Sequence, residues 1–428
     1  MVTPNPVSSS GSVRSVGSPQ QRLDQVGEDA VVRGIIDGLP APSWLLVPPG
    51  DDAAVLASVE GALVAGTDTM VENADFRRDW STAEQVGGKI AAQNLADIAA
   101  MGAEPWALLL SLAAPRDLPV EWTLGLRRGV LAECARAGAV LVGGDVSDAA
   151  EIVLTGTGLG RFPAGSAPVR RDGARVGDVV ALAGDVGLSA AGLAVLGASG
   201  VSGGGAFGGG ASGSGASGSG ASGGGASGGG ATAGGAAAGV GAVVSGAPAG
   251  EASVGVQTGA SLDLALEMVL DLHRWPRPPY PAGVVAARAG ASSMIDTSDG
   301  LLRDAARLAM ASKVVLDLDS AALARMTTGT APGAVLPKVA EWLEGAGRVA
   351  DLVRTWQLQG GEDHALLATF PPGTVPESFV VIGEVRPAAL AASDGAGRVT
   401  DGASAVLLDG REVTGPLGWQ HWTSNTEQ

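Results

Sequence analysis

The chain has 428 residues, 46% of them hydrophobic, and its 27 Lys+Arg against 44 Asp+Glu leave a formal charge of -17. It can bury more than one core, so two domains are the default expectation. The acidity argues against a nucleic-acid surface, which would neutralise phosphates with basic side chains, and an anionic ligand would have to be bridged by cations.

The first twenty residues are rich in Ser, Pro and Gly with Arg14 as their only cation, and residues 1–22 are expected to be a disordered lead-in. Runs such as Ala62 to Gly66 read as buried strands. The clearest element is a helix from Thr82 to Met101, with Ser81 and Glu84 as its capping box, Gly102 as its stop and Pro105 blocking extension. Val86, Ile90 and Met101 form one apolar stripe in which Asn94 and Asp97 fall, so two polar groups face inward. Leu131 to Ala137 reads as helical and holds Cys134, the single cysteine. One cysteine forms no intrachain disulfide or cysteine metal cluster, and a reducing cytoplasm fits best.

Ala139 to Val142, Glu151 to Thr157 and Asp178 to Ala183 read as further strands. The turn-like Arg161 to Pro168 separates a domain over residues 23–165 from one over 166–428. A helical Leu188 to Leu196 leads into residues 199–260, almost wholly Gly, Ala and Ser, where side chains able to form a core are lacking and a flexible insertion is expected. The pattern resumes at Leu262, with strands at Met294 to Asp296, Val314 to Leu318 and Phe379 to Val385. Alternating helix and strand signals argue an α/β or α+β fold. Polar residues interrupt every Leu/Ile/Val-rich run well short of bilayer length, so no transmembrane helix is expected.

Four carboxylate groups are read at the ends of short apolar runs: Gly50-Asp51-Asp52, Thr67-Asp68-Thr69, Gly143-Gly144-Asp145, and Asp296-Thr297-Ser298-Asp299-Gly300. Open α/β sheets place ligand chemistry at strand C-termini. Clustered carboxylates repel, so a cluster facing a cleft implies a bound metal, and all-oxygen ligands favour Mg²⁺. Each Asp taken singly is also a good turn former or cap, and Asn94 with Asp97 could be a purely structural hydrogen-bonded pair. Gly360-Gly361-Glu362-Asp363 is by itself a turn signal ahead of the apolar Ala365 to Phe370. A Walker-type phosphate loop is absent, His273, His364 and His421 lack zinc spacing, and the only Gly-x-Ser-x-Gly matches of note lie in the low-complexity tract.

Taken together, Gly50-Asp-Asp-Ala-Ala-Val55, Thr67-Asp-Thr-Met-Val71, Gln93-Asn-Leu-Ala-Asp-Ile-Ala-Ala-Met-Gly102, Val142-Gly-Gly-Asp145, Asp296-Thr-Ser-Asp-Gly-Leu301, Gly360-Gly-Glu-Asp363 and Gly418-Trp419 resemble the thiamine-monophosphate kinase family, whose fold is shared with aminoimidazole ribonucleotide synthetase. The resemblance implies a two-domain synthetase-like fold, a homodimer in which N-terminal domains pair their sheets into a barrel, and a C-terminal α/β domain flanking a cleft. It implies ATP-dependent, Mg²⁺-dependent phosphoryl transfer to thiamine monophosphate. Asp52, Thr67, Asp68, Asp97, Asp145, Asp296 and Asp299 match metal positions. Gly144, Asp145, Arg171 and Ser298 match nucleotide positions, and Glu362 and Trp419 match positions at the thiamine end, where a carboxylate and an aromatic face suit a cationic ring. Asp75 stands where the family often has a substrate-contacting His. The alternatives are another ATP-dependent enzyme of the superfamily or a non-catalytic nucleotide-binding or thiamine-phosphate-binding protein.

Overall fold

A computed structural model describes residues 21–26, 28–49, 53–57, 61–198, 261–328, 332–388, 405–413 and 415–419. Of the lead-in expected over 1–22, residues 1–20 lie outside these residues, as does the Gly/Ala/Ser tract over 199–260, whereas Gln21 and Arg22 are placed, Arg22 bridging Pro119 and the Gln21 carbonyl accepting the Val120 N–H. In chain order the first elements are α1 (Leu23–Val26), α2 (Glu28–Ile36), β1 (Leu45–Val47), β2 (Val55–Leu56), β3 (Leu63–Val71), α3 (Ala83–Ala100), β4 (Glu104–Ala114), α4 (Val120–Ala137), β5 (Val140–Asp148) and β6 (Val153–Arg161). There follow β7 (Val179–Ala183), α5 (Leu188–Ala198), α6 (Leu262–Arg274), α7 (Tyr280–Arg288), β8 (Ser293–Asp296), α8 (Leu301–Ser312), β9 (Val314–Leu318) and α9 (Ser320–Arg325). The last are α10 (Leu336–Glu344), α11 (Val349–Gln359), β10 (Leu366–Phe370), β11 (Val380–Pro387), β12 (Val406–Leu408) and β13 (Arg411–Glu412).

Two main sheets organise them: four strands in the order β3-β6-β4-β5, and seven in the order β13-β12-β9-β11-β7-β10-β8. In the second, β7 and β10 are almost continuously apolar and buried, as expected of strands covered on both faces. Leu182, Leu316 and Ile382 pack with Leu302 and Leu308 of α8, while Ala181, Met294 and Phe370 pack with Ala282 and Ala286 of α7 and Ala100 of α3.

β3 and β5 run farther than the apolar stretches suggest. Thr67-Asp68-Thr69 and Gly143-Gly144-Asp145 are therefore inside strands, not just past their ends. The ladder carries on because polar residues take the exposed positions, where Thr67 meets the Thr157 hydroxyl and Thr69 the Thr155 hydroxyl across the strands. Asp296, by contrast, is the last residue of its strand.

The α3 capping box falls one residue later than Ser81–Glu84. Thr82 Oγ1 accepts the Gln85 N–H, and the Gln85 side chain accepts the Thr82 N–H, because Ser81 is still in the preceding turn, its N–H bonded to the Arg77 carbonyl. The helix ends at Ala100, and Gly102 follows at φ +78°. α3 and α4 meet backbone to backbone: a Cβ on Gly87 would lie 2.0 Å from the Leu126 carbonyl oxygen, and one on Gly129 1.8 Å from that of Glu84.

Glu133 of α4 is fully buried, yet it accepts hydrogen bonds from Tyr280 Oη at 2.5 Å, Trp275 Nε1 at 2.8 Å and the Arg136 guanidinium. A buried carboxylate satisfied in this way is a specific tie, here between α4 and the segment leading into α7. The neighbouring Cys134 thiol is pushed up to about 12 by burial and then by Glu133, so it stays protonated. Among the described residues, no helix is long and apolar enough to cross a membrane.

The α3–α4 contact gives a direct test. Gly129→Ala should lower stability by about 1–3 kcal/mol through overpacking, whereas Gly197→Ala, where a Cβ meets open space, should be neutral or slightly stabilising. Thermal unfolding of both variants reads the difference.

Candidate active site

Alternate residues of β6 are glycine, and α3 occupies the space their side chains would need. A Cβ on Gly156 would lie 2.3 Å from Asn94 Nδ2, and one on Gly160 2.2 Å from Ile98 Cγ2. Seated there, the fully buried Asn94 accepts the backbone N–H of Asp68 at 3.0 Å and donates to the Ile90 carbonyl at 2.8 Å. Asn94 is thus a pin between helix and strand. One turn later in α3, Asp97 reaches the Asp68 carboxyl and shares a hydrogen bond with it.

Asp296, at the end of β8, completes the group. It is buried and meets His364 Nδ1 at 3.0 Å. The loop carrying His364 is zipped to the loop after β8: Glu362 N–H donates to the Ser298 carbonyl at 2.7 Å, and His364 N–H to that of Thr297 at 3.1 Å. Glu362 and His364 both sit at positive φ, +64° and +54°. Such backbone is costly for residues with a Cβ and persists only where surroundings dictate it.

Charge follows from this crowding. Burial, then Asp296 and Asp68, push the Asp97 carboxyl up to about 8. Asp68 is also raised, chiefly by burial, with His364 opposing. His364 is held above its ordinary value, the hydrogen bond and charge of Asp296 outweighing burial. A second group adjoins: Lys89 Nζ lies 2.7 Å from Glu362 Oε1 and donates to the Asp75 carbonyl at 3.2 Å. Glu362 is held below its usual range because the adjoining Lys89 ammonium overcomes the effect of burial. His273, pushed down to about 4 by burial and then Lys89, is neutral and shares a hydrogen bond with Ser189 Oγ.

The other expected site residues fall as follows. Thr67 donates to the Gly156 carbonyl at 2.6 Å and faces outward beside Thr157. Gly144 is in register with Asp68 across β6 and β4, roughly 14 Å away at three strand spacings. Gly144 and the exposed Asp145 border a largely apolar cavity of about 130 Å³, shared with Ile36, Leu110 and Arg127. Asp299 is paired with Arg307 at 2.5 Å, and its carbonyl accepts the Trp419 N–H at 2.9 Å, which brings Gly418-Trp419 onto the Asp296–Asp299 loop. Asp75 uses its carboxylate to accept the Val71 N–H at 2.7 Å, closing its own loop. Arg171 is exposed on the turn before β7, its carbonyl accepting from Ser312 Oγ. Asp52 lies outside the described residues.

Among those residues, no set of three His, Cys, Asp or Glu side chains forms a ready metal-binding group. The donor chemistry nonetheless fits a hard cation: Asp68 and Asp97 meet beside Asp296, which disfavours the charge on both, and a divalent ion there would relieve that repulsion with oxygen ligands. Sequence reasoning missed Lys89 and His364. Lys89 had a signal, because it, Gln93 and Asp97 are spaced four apart and share one helix face. His364 had none, since its partner is sixty-eight positions away.

Residues 50–162 match the family model described as AIR synthase related protein, N-terminal domain. The chain is 34% identical over 406 residues to a thiamine-monophosphate kinase of Mycobacterium tuberculosis, covering 95% of each. To that of Corynebacterium glutamicum it is 34% identical over 366 residues, 85% of this chain and 87% of the relative. Among solved structures, the thiamine-monophosphate kinase of Stenotrophomonas maltophilia superposes with a TM-score of 0.60 at 22% identity, covering 90% and 96%. A ThiL complexed with AMPPCP and TMP gives 0.59 at 24% identity, covering 95% and 100%. At these identities the superpositions speak for the fold.

The crowding around Asp97 has a measurable consequence. Ionising Asp97 costs folding stability that is absent below its ordinary value near 3.8 and grows as pH rises toward about 8. In EDTA, Asp97→Asn should therefore raise the melting temperature more at pH 8 than at pH 5. An equal gain at both would contradict the assigned charge state.

Proposed function

This chain belongs to the thiamine-monophosphate kinase family, and we propose that Asp68, Asp97 and Asp296 form the centre of its phosphoryl-transfer site. It is an ATP-dependent kinase that transfers the terminal phosphoryl group of ATP to thiamine monophosphate, giving thiamine diphosphate and ADP. The observation that carries the site assignment is the convergence of three acids from three elements: Asp97 of α3 meets Asp68 of β3, whose backbone Asn94 fixes, with Asp296 at the end of β8 beside both.

The acceptor is already a phosphate oxyanion near neutral pH, so no strong general base is required and the task is in-line positioning plus charge compensation. Asp68, Asp97 and Asp296, with Asp52, Thr67, Asp145 and Asp299, are the residues we assign to Mg²⁺. When bound, Mg²⁺ offsets negative charge on the phosphates and on these carboxylates. His364 holds Asp296 in place through Nδ1. Gly144 and Asp145, bordering their cavity, are assigned to the nucleotide together with Arg171 and Ser298. Glu362 and Trp419 take the thiamine end, where both loops converge on Ser298 and Asp299. Asp75 is assigned to the same end, acting through its loop.

Several broader features belong to the same proposal. A change of domain near residue 165 is supported by one sheet ending at Arg161 and the next beginning at Val179. A cytoplasmic setting is supported by the use of a single cysteine, Cys134, which fits a reducing compartment. Pairing of two copies through the outer face of the four-stranded sheet is supported by the exposure of Thr67, Thr69 and Leu109 there.

With ATP, Mg²⁺ and thiamine monophosphate, the purified protein should form thiamine diphosphate, and EDTA should abolish it. Asp68→Asn should lower turnover by about a hundredfold or more while leaving the circular dichroism spectrum intact, and near-normal turnover would sink the metal assignment. Sedimentation should give twice the 42.0 kDa chain mass; a single-chain mass would refute the pairing.

A further inference from the structure

A buried ammonium group must find acceptors, because leaving it unpaired away from water costs several kcal/mol. Lys89 lies mid-way along α3 and is only 3% exposed. Its acceptors are the carbonyl of Asp75, in the loop after β3, and Oε1 of Glu362, in the loop before β10. These two loops come from opposite ends of the chain. Neither is joined to the other through a sheet, so the ammonium is the element that both contact.

We propose that Lys89 is a positioning residue for the phosphoryl acceptor: it fastens the Asp75 loop to Glu362 and fixes the direction in which that carboxylate meets the thiamine end. The proposal rests on the reading of Glu362 as a thiamine contact. Three observations support it. The Glu362 backbone is already fixed, at φ +64° with its N–H bonded to the Ser298 carbonyl, so the remaining freedom is in the side chain, and Lys89 removes it. The Glu362 side chain remains 37% exposed while its partner is buried, so one carboxylate is both held and reachable. On the far side of Glu362, His273 is neutral, 3.6 Å away, and does not replace the ammonium.

A chemical consequence follows. With much of its charge answered by Lys89, Glu362 would select a cationic ring by where its oxygen points rather than by bare attraction. Removing the ammonium would then weaken acceptor binding even though it leaves more negative charge at the site.

Steady-state kinetics on Lys89→Met, Lys89→Arg, Glu362→Gln and the Lys89→Met/Glu362→Gln double variant test this. Lys89→Met should raise KM for thiamine monophosphate by about tenfold or more, the loss expected when one charge-assisted hydrogen bond goes, with KM for ATP essentially unchanged. Lys89→Arg should recover most of the loss, and the double variant should be no worse than Glu362→Gln alone. An unchanged or lower KM for thiamine monophosphate in Lys89→Met, while Glu362→Gln raises it, would overturn the proposal alone. If Glu362→Gln itself binds the acceptor normally, the thiamine-end reading falls and the proposal with it. Should Lys89→Met fail to fold, Lys89→Arg and the neutral double variant carry the same comparison.

Discussion

The glycines at 156, 158 and 160 of β6 are the constraint on which the site depends. They let a helix backbone rest directly on a sheet, closer than any side chain would permit. Because the contact is steric, it fixes the depth and rotation of α3 together. Asn94 then meets the Asp68 amide, Asp97 meets the Asp68 carboxyl, and Lys89 reaches two loops from the same helix. Electrostatic partners that need sub-ångström placement inherit it from packing.

Given that placement, the site is arranged as two adjoining groups of unlike character. One holds three carboxyl groups and a single imidazole, and is predominantly acidic. The other holds a lysine, a glutamate and a neutral histidine, and is close to balanced. The boundary between them runs through the Glu362–His364 loop, whose alternate residues face one group and then the other. Phosphates would reach the acidic group only through a bridging cation, and the balanced group is left for the thiamine end, an assignment that rests on family likeness.

What the sequence disclosed, and what it withheld, divides along the range of the interactions. The α3 limits were readable within a residue or two, because caps, stop and following Pro are local signals, although two candidate boxes, Ser81/Glu84 and Thr82/Gln85, stood side by side and the turn at Arg77 decided between them. β9 was read at its true limits, since its residues are buried throughout. β3 and β5 were cut short, because a search for apolar runs is blind to strands whose outer face bears threonine and glycine. Asn94 and Asp97 were correctly turned inward by periodicity. The pairing of His364 with Asp296 and the buried Glu133 with its aromatic donors depend on chain crossings that no local pattern encodes. In the Glu133 case, an acid in the last turns of α4 looks like any solvated helix position until its partners arrive from residues 275–280.

The helices on either side of residues 199–260 are packed against each other. Ala191 and Val195 of α5 share a cluster with Ala265 and Val269 of α6, and a Cβ on Gly192 would strike the Val269 carbonyl oxygen at 2.1 Å. The two ends of that connection are therefore anchored by contacts that owe nothing to what joins them. Since closure entropy rises only by about 0.6 kcal/mol per doubling of loop length, a connection of different length would cost the α5–α6 contact little.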